Sequence, residues 1–172
     1  MGLPERTAES PRWYALQTRY RFEKRVAQQL HEKQIESFVP LRAEVHGWSD
    51  RRKEIDVPLF PGYAFVHTVQ SHNCRLHVLR TAGVIGFVES SGEPVPVSAQ
   101  EIEHLRMILA QKVPCSLHPF LKVGQRVRIR GGCLNGLQGV LCHTGRKSLI
   151  VSIDAIQQSV AVEIQGYELE LV

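Results

Sequence analysis

No stretch of this 172-residue chain approaches the roughly 20 consecutive apolar residues of a membrane-spanning helix. The opening MGLPERTAESPR has no apolar run of the secretory kind and mixes charges with prolines, so neither a signal nor a transit peptide is expected. Residues 1–11 are therefore read as a flexible tail on a cytoplasmic protein. Recognised catalytic signatures are missing too: no nucleophile stands in a known pattern with a base, and no carboxylate pair does. An enzyme is not expected. For metal there is one opening, Cys74-x-x-His77 with Cys115-x-x-His118, but the interval between the pairs is unusual for a zinc module and the first pair falls in a predicted helix. No metal or cofactor is expected; Cys74 is read as buried and His118 as a linker residue, while Cys133 and Cys142 are expected to be reduced thiols. Strong charge of one sign is lacking as well, since a net charge of +4 permits an anionic partner without demanding one.

What is present is enough apolar residue, 43%, for one ordinary core or two small ones. The stretch VPLFPGYAFV, Val57 to Val66, is central. Phe60-Pro61-Gly62-Tyr63 reads as a turn feeding a strand, Tyr63 to His67, with Tyr63, Phe65 and His67 on one face and Ala64 and Val66 on the other. Upstream, Trp13 to Thr18 reads as a strand, and Phe22, Val26 and Leu30 at four-residue spacing predict a helix to about Lys33. Phe38 to Val45 reads as a second strand and Glu54 to Val57 leads into a third element, with His46 to Lys53 a polar loop or hairpin tip holding Arg51, Arg52 and Lys53. Ser71 can cap a helix through Leu79, Val84 to Glu89 reads as a strand, and Ser90 to Pro94 as a turn. Ser98 with Glu101 is a capping-box pattern before a helix whose face carries Ile102, Leu105, Ile108 and Leu109.

That order predicts an α+β fold, a split βαβ antiparallel sheet with helices on one side, over residues 12–110. Pro114 and Pro119 bracket a predicted linker, 111–119. Beyond it the period becomes two: Val127 and Ile129 alternate with Arg126, Arg128 and Arg130, and glycines punctuate short β-branched runs. Residues 120–172 are therefore predicted to form a small all-β barrel, a binding module in type.

These motifs carry a resemblance. WYALQT, the amphipathic helix, LFPGYAFV and Arg80-Thr81-Ala82-Gly83-Val84-Ile85-Gly86-Phe87-Val88 together resemble the N-terminal domain of NusG transcription elongation factors. Val127 to Leu141, VRIRGGCLNGLQGVL, resembles a KOW motif. Within that family, VHGWSDRRKEIDVPLFPGYAFV looks closer to specialised paralogues of the UpxY and RfaH kind than to housekeeping NusG.

The resemblance implies a monomeric transcription elongation and antitermination factor. An apolar surface at Phe60, Tyr63 and Phe65 would receive the clamp helices of RNA polymerase, and bridging the cleft would oppose clamp opening. Arg19, Tyr20, Arg21 and Thr81 would face the non-template DNA strand, cations on phosphates and Tyr20 on a base. In the KOW domain the position that carries an exposed phenylalanine in housekeeping NusG is Ile156, followed by Gln157 and Gln158. A Rho or small-ribosomal-subunit partner there would lose its aromatic anchor. Two other readings stand beside this one: housekeeping NusG itself, and a KOW-type RNA-binding or ribosome-associated protein using Arg126, Arg128, Arg130, Arg146 and Lys147.

Overall fold

The structure, a computed structural model, describes residues 10–48, 51–113, 115–118, 126–144, 146–164 and 167–172. In chain order its first elements are β1 (Arg12–Thr18), α1 (Glu23–Glu32), β2 (Glu36–Phe38), β3 (Leu41–Trp48), β4 (Arg51–Pro58) and β5 (Tyr63–Thr68). Next come α2 (His72–Leu79), β6 (Val84–Phe87), β7 (Glu89–Ser90), β8 (Glu93–Pro94), β9 (Pro96–Val97) and α3 (Ala99–Ala110). The last are β10 (Cys115–His118), β11 (Arg126–Arg130), β12 (Gln138–Thr144), β13 (Arg146–Ile153), a 3-10 turn (Asp154–Ile156), β14 (Gln158–Glu163) and β15 (Glu168–Leu171). The described residues divide into two units, one running to Val39 and resuming over Pro61–Val97, the other combining Pro40–Phe60 with Ser98–Val172.

In the first unit the antiparallel sheet runs β2-β5-β1-β6, with β9 also paired to β1. The register sets Leu16 opposite Ala64 and Tyr14 opposite Val66, and these four meet Val26 and Leu30 of α1, Val78 of α2 and Phe87 in one buried cluster. The period of two in the strands and the four-residue spacing in α1 converge here, each fully buried Leu or Val contributing about 1.5–3 kcal/mol. α2 starts as its sequence dictates, with the Ser71 hydroxyl accepting from the Cys74 amide at 3.3 Å. The strand expected over Phe38 to Val45 is two strands, because Pro40 has no N–H for a ladder; β2 pairs with β5, and β3 pairs with β4. Residues 46–48 and 51–53, expected in a loop or hairpin tip, lie in that β3–β4 ladder, while Ser49 and Asp50 fall outside the described residues.

In the second unit β3 and β4 form a hairpin in register from Leu41 opposite Pro58 to Trp48 opposite Arg51. α3 begins with the expected capping box, the Ser98 hydroxyl accepting from the Gln100 amide at 3.2 Å and the Glu101 carboxylate from the Ser98 amide at 3.0 Å. Its buried face is Ile102, Leu105 and Ile108. The following strands form a six-stranded antiparallel sheet, β10-β14-β13-β12-β11-β15, around Val127, Ile129, Leu149, Val151, Ile153, Val160 and Val162. Gly139 lets the backbone approach closely in that sheet, since a Cβ there would collide with the Ile150 carbonyl. The predicted linker needs correcting. Cys115–His118 is the edge strand β10, with Cys115 opposite Val162 and Leu117 opposite Val160, so two prolines that read as linker residues flank a strand instead. Pro114 and Pro119 themselves lie outside the described residues.

Candidate functional site

The exit of β1 is held on two sides. The Thr18 amide donates to the Gly62 carbonyl at 2.9 Å, and the Gly62 amide donates back to the Glu23 carboxylate at 2.7 Å. Glu23 is 2% exposed and lies on the buried stripe of α1, so this carboxylate fastens the turn before β5 to the first helical turn. On the other side the Arg19 amide donates to the Gly83 carbonyl at 2.8 Å. Gly83 has φ +99° and its α-carbon faces Phe22, whose ring would stand 2.7 Å from an added Cβ. Only glycine fits there.

Between these ties the chain bulges outward. Arg21 is left-handed, φ 67°, a conformation a side chain adopts only when its surroundings enforce it. Tyr20 is 69% exposed, with the Arg21 guanidinium 5.5 Å from its ring centre. Arg19 and Arg21 are both exposed, and neither forms an ion pair among the described residues. The result is an aromatic plate between two uncompensated cations on a backbone that cannot easily move.

Thr81, expected on the same surface, is 2% exposed, and its hydroxyl accepts from the Lys33 ammonium at 2.8 Å. Its turn reaches the Arg19 segment, but its side chain points inward and supports the turn. A lysine 48 positions away cannot be foreseen from the Thr81 neighbourhood in sequence.

The aromatic surface also differs from expectation. Phe65 is fully buried, opposite Ala15 in register and 6.3 Å from the Phe38 ring, and Phe60 is 1% exposed at the end of the hairpin unit. Of the three expected receptor residues only Tyr63 is partly open. The same face of β5 carries His67, stacked on Trp13 at 5.1 Å and bonded through Nδ1 to the Glu36 carboxylate at 2.8 Å. Sequence reading put His67 on this face but had no register with which to find Trp13 or Glu36.

In the second unit Ile156 is 6% exposed inside the 3-10 turn, and exposed Gln157, at φ 50°, is what the turn presents. The resemblance put an isoleucine here in place of the family's aromatic anchor, and the turn folds that isoleucine inward. The Asp154 amide donates to Glu101 of α3 at 3.4 Å. Burial pushes the Glu101 carboxyl up, against the backbone donors Ser98 and Asp154, and burial pushes the His104 imidazole down. Both line a cleft of about 430 Å³ with Arg126, Gln138, Ser152 and Asp154. On β11, Arg130 donates through Nε to Glu170 at 2.7 Å, which holds the Glu170 carboxyl below its ordinary range and neutralises part of the arginine stripe.

Cys74, expected buried, is partly open on α2, and His118 sits in β10. No group of three or more His, Cys, Asp or Glu suited to a metal ion occurs among the described residues, and no helix among them is long and apolar enough to cross a membrane.

The family described as "Transcription termination factor nusG" matches residues 11–106. The "Transcription termination/antitermination protein NusG" of Lactococcus lactis is 28% identical over 173 residues, covering 92% of this chain and 91% of that protein. Its Staphylococcus aureus counterpart is 28% identical over 176 residues, covering 92% and 94%. Among solved structures, one describing domain interaction in Thermotoga maritima NusG is 26% identical, covers 89% of this chain and 93% of that one, and superposes with a TM-score of 0.55. With a tied and cationic β1 exit, an antiparallel sheet backed by helices and a following β-sheet module, the chain belongs to the NusG family of transcription termination and antitermination factors.

Proposed function

We propose that this NusG-family protein is a monomeric, cytoplasmic elongation and antitermination factor that bridges RNA polymerase and suppresses pausing or termination without catalysis. Tyr63 receives the clamp helices, and Arg19, Tyr20 and Arg21 meet the exposed non-template strand. Its work is differential affinity: a ligand that binds the closed clamp more tightly than the open one shifts the population toward processive elongation by that difference alone. The observation that carries the reading is the 69% exposed Tyr20 between two unpaired arginines on a tied backbone, which suits one unstacked base and its phosphates. The protein acts as a specialised, operon-directed paralogue, as the resemblance of Val45 to Val66 suggests. Ile156 folded inward and Gln157 in its place argue against strong Rho or ribosomal binding. The pairing of Arg130 with Glu170 weighs against an RNA-binding stripe on β11.

The test is polymerase capture by the full chain and by Tyr63→Ala, with ribosome sedimentation alongside. Loss of a central interface aromatic is expected to cost about 2 kcal/mol, roughly thirtyfold in affinity. Co-sedimentation with ribosomes and none with polymerase would sink the proposal.

A further inference from the structure

Gln29 of α1 and Lys33, the residue that caps the end of that helix, reach across to the turn that follows α2. Lys33 Nζ donates to the Thr81 hydroxyl at 2.8 Å and to the His77 carbonyl at 3.0 Å, and Gln29 Nε2 donates to the Ala82 carbonyl at 3.1 Å. The lysine thus satisfies a carbonyl in the last turn of α2, where positive charge is favoured, while it fixes Thr81. One residue beyond Ala82, the Gly83 carbonyl accepts the Arg19 amide. The Arg80–Gly83 turn is therefore bound to α1 on one side and to the Arg19 segment on the other. Arg80 opens this turn. It is exposed and forms no ion pair among the described residues.

We propose that Lys33 and Gln29 are positioning residues that hold the Arg80–Gly83 turn against the Arg19 segment, and that Arg80 is thereby a fourth contact to the single-stranded DNA surface of Arg19, Tyr20 and Arg21. The inference rests on the DNA reading proposed above. Lys33 spends its hydrogen bonds inside the protein, so its charge sets geometry and Arg80 meets the phosphate. Thr81 relays the lysine to the turn, which explains why a threonine next to an arginine is buried in an otherwise open loop.

The probe is an RNA polymerase elongation complex whose exposed non-template strand carries a fluorescent base, titrated with full-length variants over a range of salt. Arg80→Ala is expected to weaken binding several-fold and to flatten the salt slope by about 0.7, the value of one single-strand phosphate contact. Lys33→Met should weaken binding by about tenfold, and Lys33→Arg should restore much of it. The double variant should bind no worse, and with no flatter slope, than Lys33→Met alone, because a misplaced Arg80 has nothing left to lose. Additive losses with a slope flattened twice over would mean that Lys33 touches DNA itself, and would overturn the positioning role. Binding unchanged in both single variants while Arg19→Ala weakens it would overturn the inference and leave the DNA surface standing; no change in Arg19→Ala would remove the surface itself. If Lys33→Met does not fold, Gln29→Ala, which frees the Ala82 carbonyl and otherwise removes only a bond to the Arg25 carbonyl within α1, takes its place with the same expected coupling to Arg80→Ala.

Discussion

The amide of Gly62 and the carboxylate of Glu23 meet at 2.7 Å, joining the turn before β5 to the start of α1 with a side chain that is 2% exposed. A buried acid with a backbone donor is a fastening, and its loss would leave the Gly62 amide unsatisfied. Glu23→Ala is predicted to lower stability by about 1–3 kcal/mol, with Glu23→Gln less harmful because it keeps an acceptor. Thermal unfolding of the two variants measures this, and an unchanged midpoint in Glu23→Ala would remove the fastening role.

The Gly83 turn gives a second prediction. A Cβ at φ +99° and 2.7 Å from the Phe22 ring is strained twice, by conformation and by contact. Gly83→Ala should destabilise by about 2 kcal/mol, read as a lower denaturant midpoint with an unchanged slope. Phe22→Leu in the same chain should relieve part of the loss.

Acid should weaken the second unit through His104. Burial holds its imidazole below the ordinary value of 6.5, so the unfolded chain takes up the proton first. The stability this residue confers is complete above the unfolded value and is lost as pH falls through the depressed one. Unfolding followed from pH 7.5 down to about 5 should show that decline, and His104→Gln should flatten it. An identical pH profile in the two proteins would contradict the assignment.

Much of this was legible before any coordinates. Ser71 and the Ser98/Glu101 pair fixed two helix starts, and alternation on β5 separated Ala64 and Val66 from Tyr63, Phe65 and His67 correctly, because these signals are local. Tertiary facts were not legible. Cys115–His118 is a strand only because Val160 and Val162 stand opposite it, Thr81 is buried by Lys33, and Ile156 turns inward with a 3-10 turn that no short pattern announces. The cationic segment Arg19 to Arg21 could be named from sequence; what holds it in place could not.

The central claim is that the tied, exposed Arg19-Tyr20-Arg21 segment acts on the non-template strand during elongation. It is tested most directly by single-round transcription through a pause on a template with a mapped non-template crosslinker, comparing the parent with Arg19→Ala and Tyr20→Ala. Both variants should still bind polymerase through the Tyr63 surface but lose pause suppression and the crosslink, Tyr20→Ala by about 1–3 kcal/mol of stacking at an unchanged salt slope. Full pause suppression and an undiminished crosslink in both variants would contradict the account.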